Sequence, residues 1–109
     1  MADIALGEFE QVVLLAILRQ GERAFALEVR REMEAESGRS ISRGAFYTTL
    51  ERLKKKGLLT WVSAQPANAR RREAQRLFSV TPRGMHLLRD TQQHLKDRWM
   101  RLEEALGEP

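Results

Sequence analysis

The side chains best suited to chemistry in this sequence are cationic, and they are concentrated in the middle of the chain. Residues 39–76 carry ten Lys or Arg against only Glu51 and Glu73, a net charge of +8. Residues 1–38 carry four Arg against eight Asp or Glu, a net charge of −4. Because cationic side chains attract anions and donate hydrogen bonds to them, the middle third predicts a polyanionic partner, with a merely solvated basic face as the alternative.

Groups suited to catalysis or metal binding are sparse. The sequence has no Cys, and His86 and His94 are eight residues apart, which is not a metal-ligand spacing. No glycine-rich phosphate loop or nucleophile elbow is present. We therefore expect a binding protein rather than an enzyme, with no cofactor and no metal.

The length limits the architecture. With 109 residues, 42% of them hydrophobic, the chain should fold as one compact domain with at most one appended element. The longest apolar run has seven residues, from Val12 to Leu18, whereas a membrane span needs about 20. We expect a cytoplasmic protein without a membrane partner.

The first third of the chain predicts two helices. The first covers residues 6–20 and has a regular apolar stripe made of Phe9, Val12, Val13, Ala16 and Ile17. Leu14 and Leu18 lie off this stripe, so this helix needs cover on two sides. The second helix covers residues 26–36 and ends before Gly38.

The third predicted helix, residues 42–56, carries part of the basic cluster. Ser42 is suited to cap its N-terminus, and Phe46, Leu50 and Leu53 form its apolar stripe. The opposite face carries Gly44, Thr48, Arg52 and Lys55, with Glu51 beside them and with Arg43 and Tyr47 on the flank. This helix should therefore present hydrogen-bond donors to the outside.

A hairpin and a long helix should follow. Residues 58–62 and 77–80 have the composition of two short strands, joined by a loop that contains Arg70, Arg71 and Arg72. Trp61, in the first strand, is expected in the core. Thr81 and Pro82 are suited to begin a helix that reaches Leu106.

The last helix repeats apolar residues with heptad spacing. The seam positions are Met85, Leu88, Gln92, Leu95, Trp99, Leu102 and Leu106. A helix of this size is about 37 Å long, more than the rest of the domain can cover on one side. Its remaining apolar surface should therefore pack against a partner.

Three helices, a hairpin and a final helix, in that order, predict a mainly α fold with a small β-hairpin, the winged helix-turn-helix. In this fold the third helix enters the major groove of DNA and the hairpin wing lies on the flanking backbone. We expect residues 1–81 to form the DNA-binding domain. Residues 82–109 should form a separate C-terminal helix.

Specific motifs support this interpretation. The sequence resembles the PadR family of transcriptional regulators in the segments Gly44-Ala45-Phe46-Tyr47 and Thr81-Pro82-Arg83-Gly84, and also at residues 6–10, 52–53 and 57–59. The resemblance implies a homodimeric winged-helix repressor of transcription. It also implies that residues 82–109 are the dimerisation helix, packing on the first helix and on its mate in the other subunit.

Roles in DNA binding follow as hypotheses. The expected DNA-binding residues are Ser42, Arg43, Gly44, Tyr47, Thr48, Arg52, Arg70, Arg71 and Arg72. Arg43 is the expected base reader, because a guanidinium group can pair with O6 and N7 of guanine. The wing arginines should contact phosphates, which adds affinity without sequence selectivity.

Dimer contacts and an effector site are expected along the seam. The expected interface residues are Leu14, Leu18, Met85, Leu88, Leu95, Trp99, Leu102 and Leu106. Some members of the resembled family bind flat aromatic compounds between their subunits, which makes Trp99 the candidate site for a small aromatic effector. Ordinary packing of Trp99 in the dimer core is the alternative.

Two other functions remain open at this point. The chain could be a winged-helix interaction module that binds protein or RNA without operator specificity, or a dimer that mainly binds small molecules. RNA recognition usually relies on aromatic side chains that stack on bases, and the basic region offers only Tyr47 outward. We therefore favour double-stranded DNA as the partner.

Overall fold

The computed structural model of the protein describes residues 6–65 and 75–107. Within those residues the chain forms a helical body with one antiparallel hairpin, as the sequence predicts. The elements are α1 (Glu8–Gln20), α2 (Ala26–Ser37), α3 (Arg43–Lys55), β1 (Leu59–Ala64), β2 (Gln75–Val80) and α4 (Pro82–Gly107), with a short 3-10 turn at Gly21–Arg23. The two strands pair from Leu59 opposite Val80 to Ala64 opposite Gln75.

The predicted capping residues, Ser42 and Thr81, lie at the N-termini of α3 and α4. The Ser42 hydroxyl oxygen accepts a hydrogen bond from the Ala45 amide at 3.3 Å, which begins α3. The Thr81 hydroxyl accepts from the Gly84 amide at 3.0 Å and donates to the Gly57 carbonyl at 2.7 Å. Thr81 therefore caps α4 and also ties it to the turn that follows α3.

The hydrophobic core lies between the first three helices and the hairpin. Its members share nearly complete burial and are Val13, Leu14, Ala16, Ile17, Ala24, Val29, Met33, Phe46, Leu50, Leu53, Leu58, Leu59 and Phe78. The predicted stripe of α3 is confirmed, because Phe46, Leu50 and Leu53 all belong to this core.

The orientation of α1 corrects part of the sequence prediction. Leu14 is completely buried in the core of its own chain, whereas Val12 is exposed with Leu15 and Leu18. Since α1 is apolar around most of its circumference, its periodicity could not show which arc faces inward. Packing against α2, α3 and β2 turns Leu14 inward and leaves Val12, Leu15 and Leu18 as an outer apolar stripe.

A pairing that the sequence did not predict completes the sheet region. Phe25 forms an isolated antiparallel bridge with Leu77, and the Phe78 amide donates to the Ala24 carbonyl at 2.9 Å. β2 therefore lies between β1 and the short segment that precedes α2. This contact fixes the N-terminus of α2 next to the hairpin.

The base of α4 is packed closely against the hairpin. A Cβ atom on Gly84 would lie 2.2 Å from the Leu58 carbonyl oxygen and 2.8 Å from Cγ1 of Val80, so only glycine fits there. Leu87 and Leu88 then pack against the core. Beyond this point α4 extends outward, and the longest dimension of the molecule is 62 Å.

Residues 6–65 and 75–107 show neither a membrane-spanning helix nor a metal-binding cluster. No helix in this part of the chain combines the length and apolar character that a membrane span requires. No group of three or more His, Asp or Glu side chains in it is arranged to hold a metal ion.

Candidate nucleic-acid interface

Helix α3 presents its polar face to the outside. The six residues in and beside α3 that were predicted to bind DNA are all exposed: Ser42, Arg43, Gly44, Tyr47, Thr48 and Arg52. The turn that leads into the helix is held by a hydrogen bond of 2.7 Å from the Ile41 amide to a Glu34 carboxylate oxygen of α2. The first turns of α3 are therefore both fixed in position and accessible.

Arg43 and Tyr47 form a contact at one edge of this face. The Arg43 guanidinium carbon lies 5.7 Å from the centre of the Tyr47 ring. The Tyr47 ring meets Phe46 edge-on, with 5.5 Å between ring centres. Tyr47 is 37% exposed, so its inner edge rests on the core while its outer side reaches the surface. This arrangement restricts the directions in which Arg43 can extend.

Gly44 leaves the backbone of α3 uncovered beside Arg43 and Tyr47. A Cβ atom at this position would meet only the Ser42 hydroxyl oxygen, at 3.8 Å, which is ordinary contact. The fold itself therefore does not require glycine here, in contrast to Gly84. Without a side chain at Gly44, a partner can approach the α3 backbone closely.

The hairpin is attached to α3 by a stack of charged and aromatic groups. Two cations contact the Trp61 ring, with Lys54 Nζ 4.9 Å and the Arg76 guanidinium carbon 4.3 Å from its ring centre. Arg76 also pairs with Glu51 of α3 at 3.2 Å. The expectation that Trp61 is a core residue was therefore only partly right, because the ring is half-buried and forms a surface platform.

The far end of α3 is tied to α1. Lys56 Nζ donates to both carboxylate oxygens of Glu10, at 2.8 and 3.0 Å, and Glu10 is almost completely buried. Burial raises the pKa of Glu10, but the hydrogen bonds from Lys56 and the Gly7 amide and the charges of Lys56 and Arg52 outweigh it, so the pKa is lowered. Lys56 therefore has a structural role.

Two further arginines lie close to the predicted interface. Arg30 of α2 and Arg76 of β2 line the same groove as Arg43 and Tyr47. Sequence reasoning did not single out either residue, since α2 is otherwise rich in acidic residues and no local pattern indicates that it meets β2. The predicted wing residues Arg70, Arg71 and Arg72 lie outside the described residues.

A second exposed surface runs along α1 and α4. A groove of about 370 Å³ between these helices is lined by apolar residues that include Leu15, Leu18, Leu88 and Leu95. Further along α4, Leu95, Trp99, Leu102 and Leu106 are 44–76% exposed. Leu14 does not reach this surface, which corrects its predicted place in the interface.

Three helices followed by an antiparallel hairpin, with the capped third helix facing outward, define a winged helix-turn-helix protein. The sequence profile of the transcriptional regulator PadR-like family matches residues 14–90. The chain therefore belongs to this family of transcriptional regulators.

Solved structures agree on the fold. A PadR-like transcriptional regulator from Bacillus cereus is similar with a TM-score of 0.71 at 18% identity, over 93% of both chains. A PadR family transcription regulator from Clostridium difficile has a TM-score of 0.66 at 18% identity, over 91% of this chain and 99% of that one. No curated protein matches this sequence.

Proposed function

We propose that this protein is a homodimeric repressor that binds operator DNA sequence-specifically through α3 and the hairpin wing. The observation that carries the proposal is the exposed N-terminal half of α3, where Arg43, Gly44 and Thr48 lie outside a fully packed apolar face. The DNA major groove admits one α-helix, and bases are read there by side chains from its first turns. The proposed activity is binding, without catalysis.

The proposed roles follow from the chemistry of each exposed group. Arg43 reads a base, because its fork of donors matches O6 and N7 of guanine, and the Tyr47 ring limits its orientation. Ser42, Thr48 and Arg52 donate to phosphates. Arg70, Arg71 and Arg72 add phosphate contacts from the wing, a role that is inferred from the sequence alone.

Dimerisation is proposed along the apolar surface of α1 and α4. Exposed apolar side chains that continue from one helix to the next are typical of interaction sites rather than of isolated surfaces. Leu18, Met85, Leu88, Leu95, Trp99, Leu102 and Leu106 form the proposed interface. A two-fold axis through it would present two copies of α3 to one duplex.

A small aromatic effector is proposed at Trp99. This side chain is more than half exposed and borders a shallow cleft of about 580 Å³ with Leu95 and Met100. The test is a fluorescence titration of a Trp61→Phe variant, in which Trp99 is the remaining tryptophan, against planar cationic and phenolic compounds. Saturable quenching is expected, and a flat signal across the panel would contradict the effector site.

The DNA-binding test uses a gel shift with a fragment from upstream of the protein's own gene, against random duplex and single-stranded RNA. Preferred binding of the upstream fragment is expected. Arg43→Ala should weaken that complex by about 1–3 kcal/mol and relax its specificity, whereas Arg71→Ala should weaken all duplexes alike. Equal losses on specific and random duplexes for Arg43→Ala would remove its role as base reader.

Repression is tested separately from binding. A reporter gene placed behind the selected DNA fragment should lose expression when the wild-type protein is produced. The Arg43→Ala variant should restore that expression. Increased expression with the wild-type protein would identify an activator instead.

A further inference from the structure

Three helices are joined at the C-terminal end of α3. Lys56, Gly57 and Leu58 follow the last turn of this helix, and we call these three residues the helix junction. Gly57 has a positive φ of 76°, and its amide donates to the Lys54 carbonyl at 2.9 Å. The Leu58 amide donates to the Leu53 carbonyl at 3.0 Å, which completes a Schellman motif. The helix junction is therefore hydrogen-bonded to α3 as a continuation of its backbone.

Helix α1 is attached to the helix junction through Glu10. The two carboxylate oxygens of Glu10 accept hydrogen bonds from Lys56 Nζ at 2.8 and 3.0 Å, and one of them also accepts from the Gly7 amide at 2.9 Å. Glu10 is only 5% exposed, so water competes little for these charge-assisted bonds. One carboxylate therefore joins the first turn of α1 to the end of α3.

Helix α4 is attached to the same junction through Thr81. The Thr81 hydroxyl donates to the Gly57 carbonyl at 2.7 Å and accepts from the Gly84 amide at 3.0 Å. The Thr81 amide also donates to the Leu58 carbonyl at 3.0 Å. Gly84 lies so close to that carbonyl that no side chain fits between them. The first turns of α1 and α4 are therefore both fixed to the end of α3.

This arrangement connects the two surfaces of the proposed function. Helices α1 and α4 carry the proposed dimer surface, and α3 carries the proposed DNA-reading face. Apolar packing is non-directional, whereas hydrogen bonds have a preferred geometry and therefore restrict the tilt of α3 more closely. Since α3 has 13 residues and is about 20 Å long, a tilt of about 10° at its C-terminal end would move its first turn by about 3 Å. That displacement is close to the rise of one base pair, about 3.4 Å.

We propose that Glu10 and Thr81 are positioning residues for operator recognition, which act through the helix junction to hold α3 at the tilt that sets the spacing of the two recognition helices in the dimer. The inference rests on the proposed function, because it requires both the dimer and DNA bound by α3. Two-fold symmetry applies any change of tilt to both subunits, and half-site spacing must match the distance between their recognition helices. Neither residue is proposed to touch DNA.

The decisive variant is Thr81→Val, which keeps the shape of the side chain and removes both hydrogen bonds of the hydroxyl. Its affinity is measured by fluorescence anisotropy for the operator mapped on the upstream fragment, for operators whose half-sites are one base pair closer or farther apart, and for random duplex. Thr81→Val should bind the correct operator about 10-fold more weakly, with unchanged affinity for random duplex. It should also discriminate less than the wild type between the three spacings. Thr81→Ser keeps the hydroxyl and should restore wild-type discrimination.

Glu10→Gln tests the other side of the helix junction and should reduce spacing discrimination in the same way. Ile17→Val is the matched control, because it removes a buried methyl group from α1 and destabilises the fold without touching the junction. This control should keep the wild-type preference for spacing, and an equal loss in Ile17→Val would overturn the positioning role. All variants should remain dimeric in sedimentation equilibrium. A loss of recognition that follows dissociation into monomers would also overturn it.

The salt dependence of Lys56→Met provides a separate check. Glu10 already neutralises the Lys56 ammonium group, so this variant should keep the wild-type slope of log affinity against log salt. A slope reduced by about one would identify Lys56 as a phosphate contact and would overturn its role in the helix junction.

The outcomes distinguish this inference from the proposed function. If the wild-type protein prefers the operator and both Thr81→Val and Glu10→Gln keep its preference for spacing, the positioning role is overturned while the proposed function stands. If the wild-type protein does not prefer the upstream fragment over random duplex, the proposed function fails and the positioning role fails with it.

Discussion

Helices α3 and α4 are both amphipathic, but the rest of the chain covers their apolar faces to very different extents. In α3, Phe46, Leu50 and Leu53 are at most 3% exposed. In α4, Leu95 and Trp99 are more than half exposed, although they continue a regular heptad seam. Position in the fold explains the difference, because α3 packs against α1 and β1, whereas α4 extends beyond the core after Leu88.

The surface that each helix leaves uncovered indicates the chemistry of its partner. What remains exposed on α3 is polar and largely cationic, which suits an anion such as DNA. What remains exposed on α4 is apolar, which suits a second apolar surface such as another copy of the chain. The two exposed surfaces therefore differ in the chemistry of the partner that each would suit.

The largest expected effect concerns the covered face of α3. Phe46→Ala should lower the free energy of unfolding by about 3–5 kcal/mol, because it leaves a cavity in the core. Urea denaturation measures the change. Val62→Ala, at an exposed position of the hairpin, should change stability by less than about 0.5 kcal/mol. A similar small loss for both variants would show that α3 is not packed as described.

The second-largest effect is expected on dimerisation, through the exposed apolar face of α4. Trp99→Ala should weaken the proposed dimer by about 2 kcal/mol or more, roughly 30-fold in Kd, because large aromatic side chains often dominate an interface. Sedimentation equilibrium measures this. Leu27→Ala removes an exposed leucine of α2 that lies off the seam and serves as the control. A wild-type protein that stays monomeric at working concentrations would refute the interface.

A smaller effect is expected where α3 is anchored to α1. Glu10→Gln should cost about 1–3 kcal/mol near neutral pH, because the carboxylate that pairs with Lys56 is lost. Since the pKa of Glu10 is lowered on folding from its ordinary value of 4.5, its contribution is present above that value and disappears as the pH falls through the folded-state pKa.

The pH dependence supplies the check. The stability difference between wild type and Glu10→Gln should shrink as the pH is lowered from about 7 to about 3 in urea denaturation. Glu8→Gln, an exposed carboxylate in the same first turn of α1, is the matched control and should show little difference at any pH. A constant gap across this range would contradict the ion pair.

The smallest effect concerns the polar edge that joins α3 to the hairpin. A double-mutant cycle of Trp61→Leu and Lys54→Met should give a coupling of about 0.5–1 kcal/mol, as expected for a cation over an indole ring near the surface. Trp61→Phe should retain part of that coupling. A coupling indistinguishable from zero would mean that the stack does not hold the wing on α3.

Features that depend on neighbouring residues could be predicted from the sequence. Ser42 and Thr81 cap their helices as expected, and Pro82 begins α4, because each signal acts within one helical turn. The polar face of α3 was also predictable, since its apolar stripe is narrow and leaves only one orientation. These features were sufficient to identify the winged helix-turn-helix.

Contacts between segments that are distant in the sequence could not be predicted from local sequence patterns. Leu14 was predicted in the dimer interface but lies in the core, because a helix that is apolar around most of its circumference can turn either arc inward. The bridge from Phe25 to Leu77 joins segments about fifty residues apart, which no local pattern encodes. Arg30 lines the same groove as Arg43 and Arg76 only because the fold places α2 beside β2.

The order of elements, the helix ends and the basic outer face of α3 were thus determined by the sequence itself, because short-range hydrogen bonds and side-chain periodicity specify them. The orientation of α1 and the placing of Arg30, Arg43 and Arg76 along one groove were decided by tertiary packing. The packing of each helix depends on every other element of the fold. Packing therefore decides which surfaces stay exposed and can bind a partner.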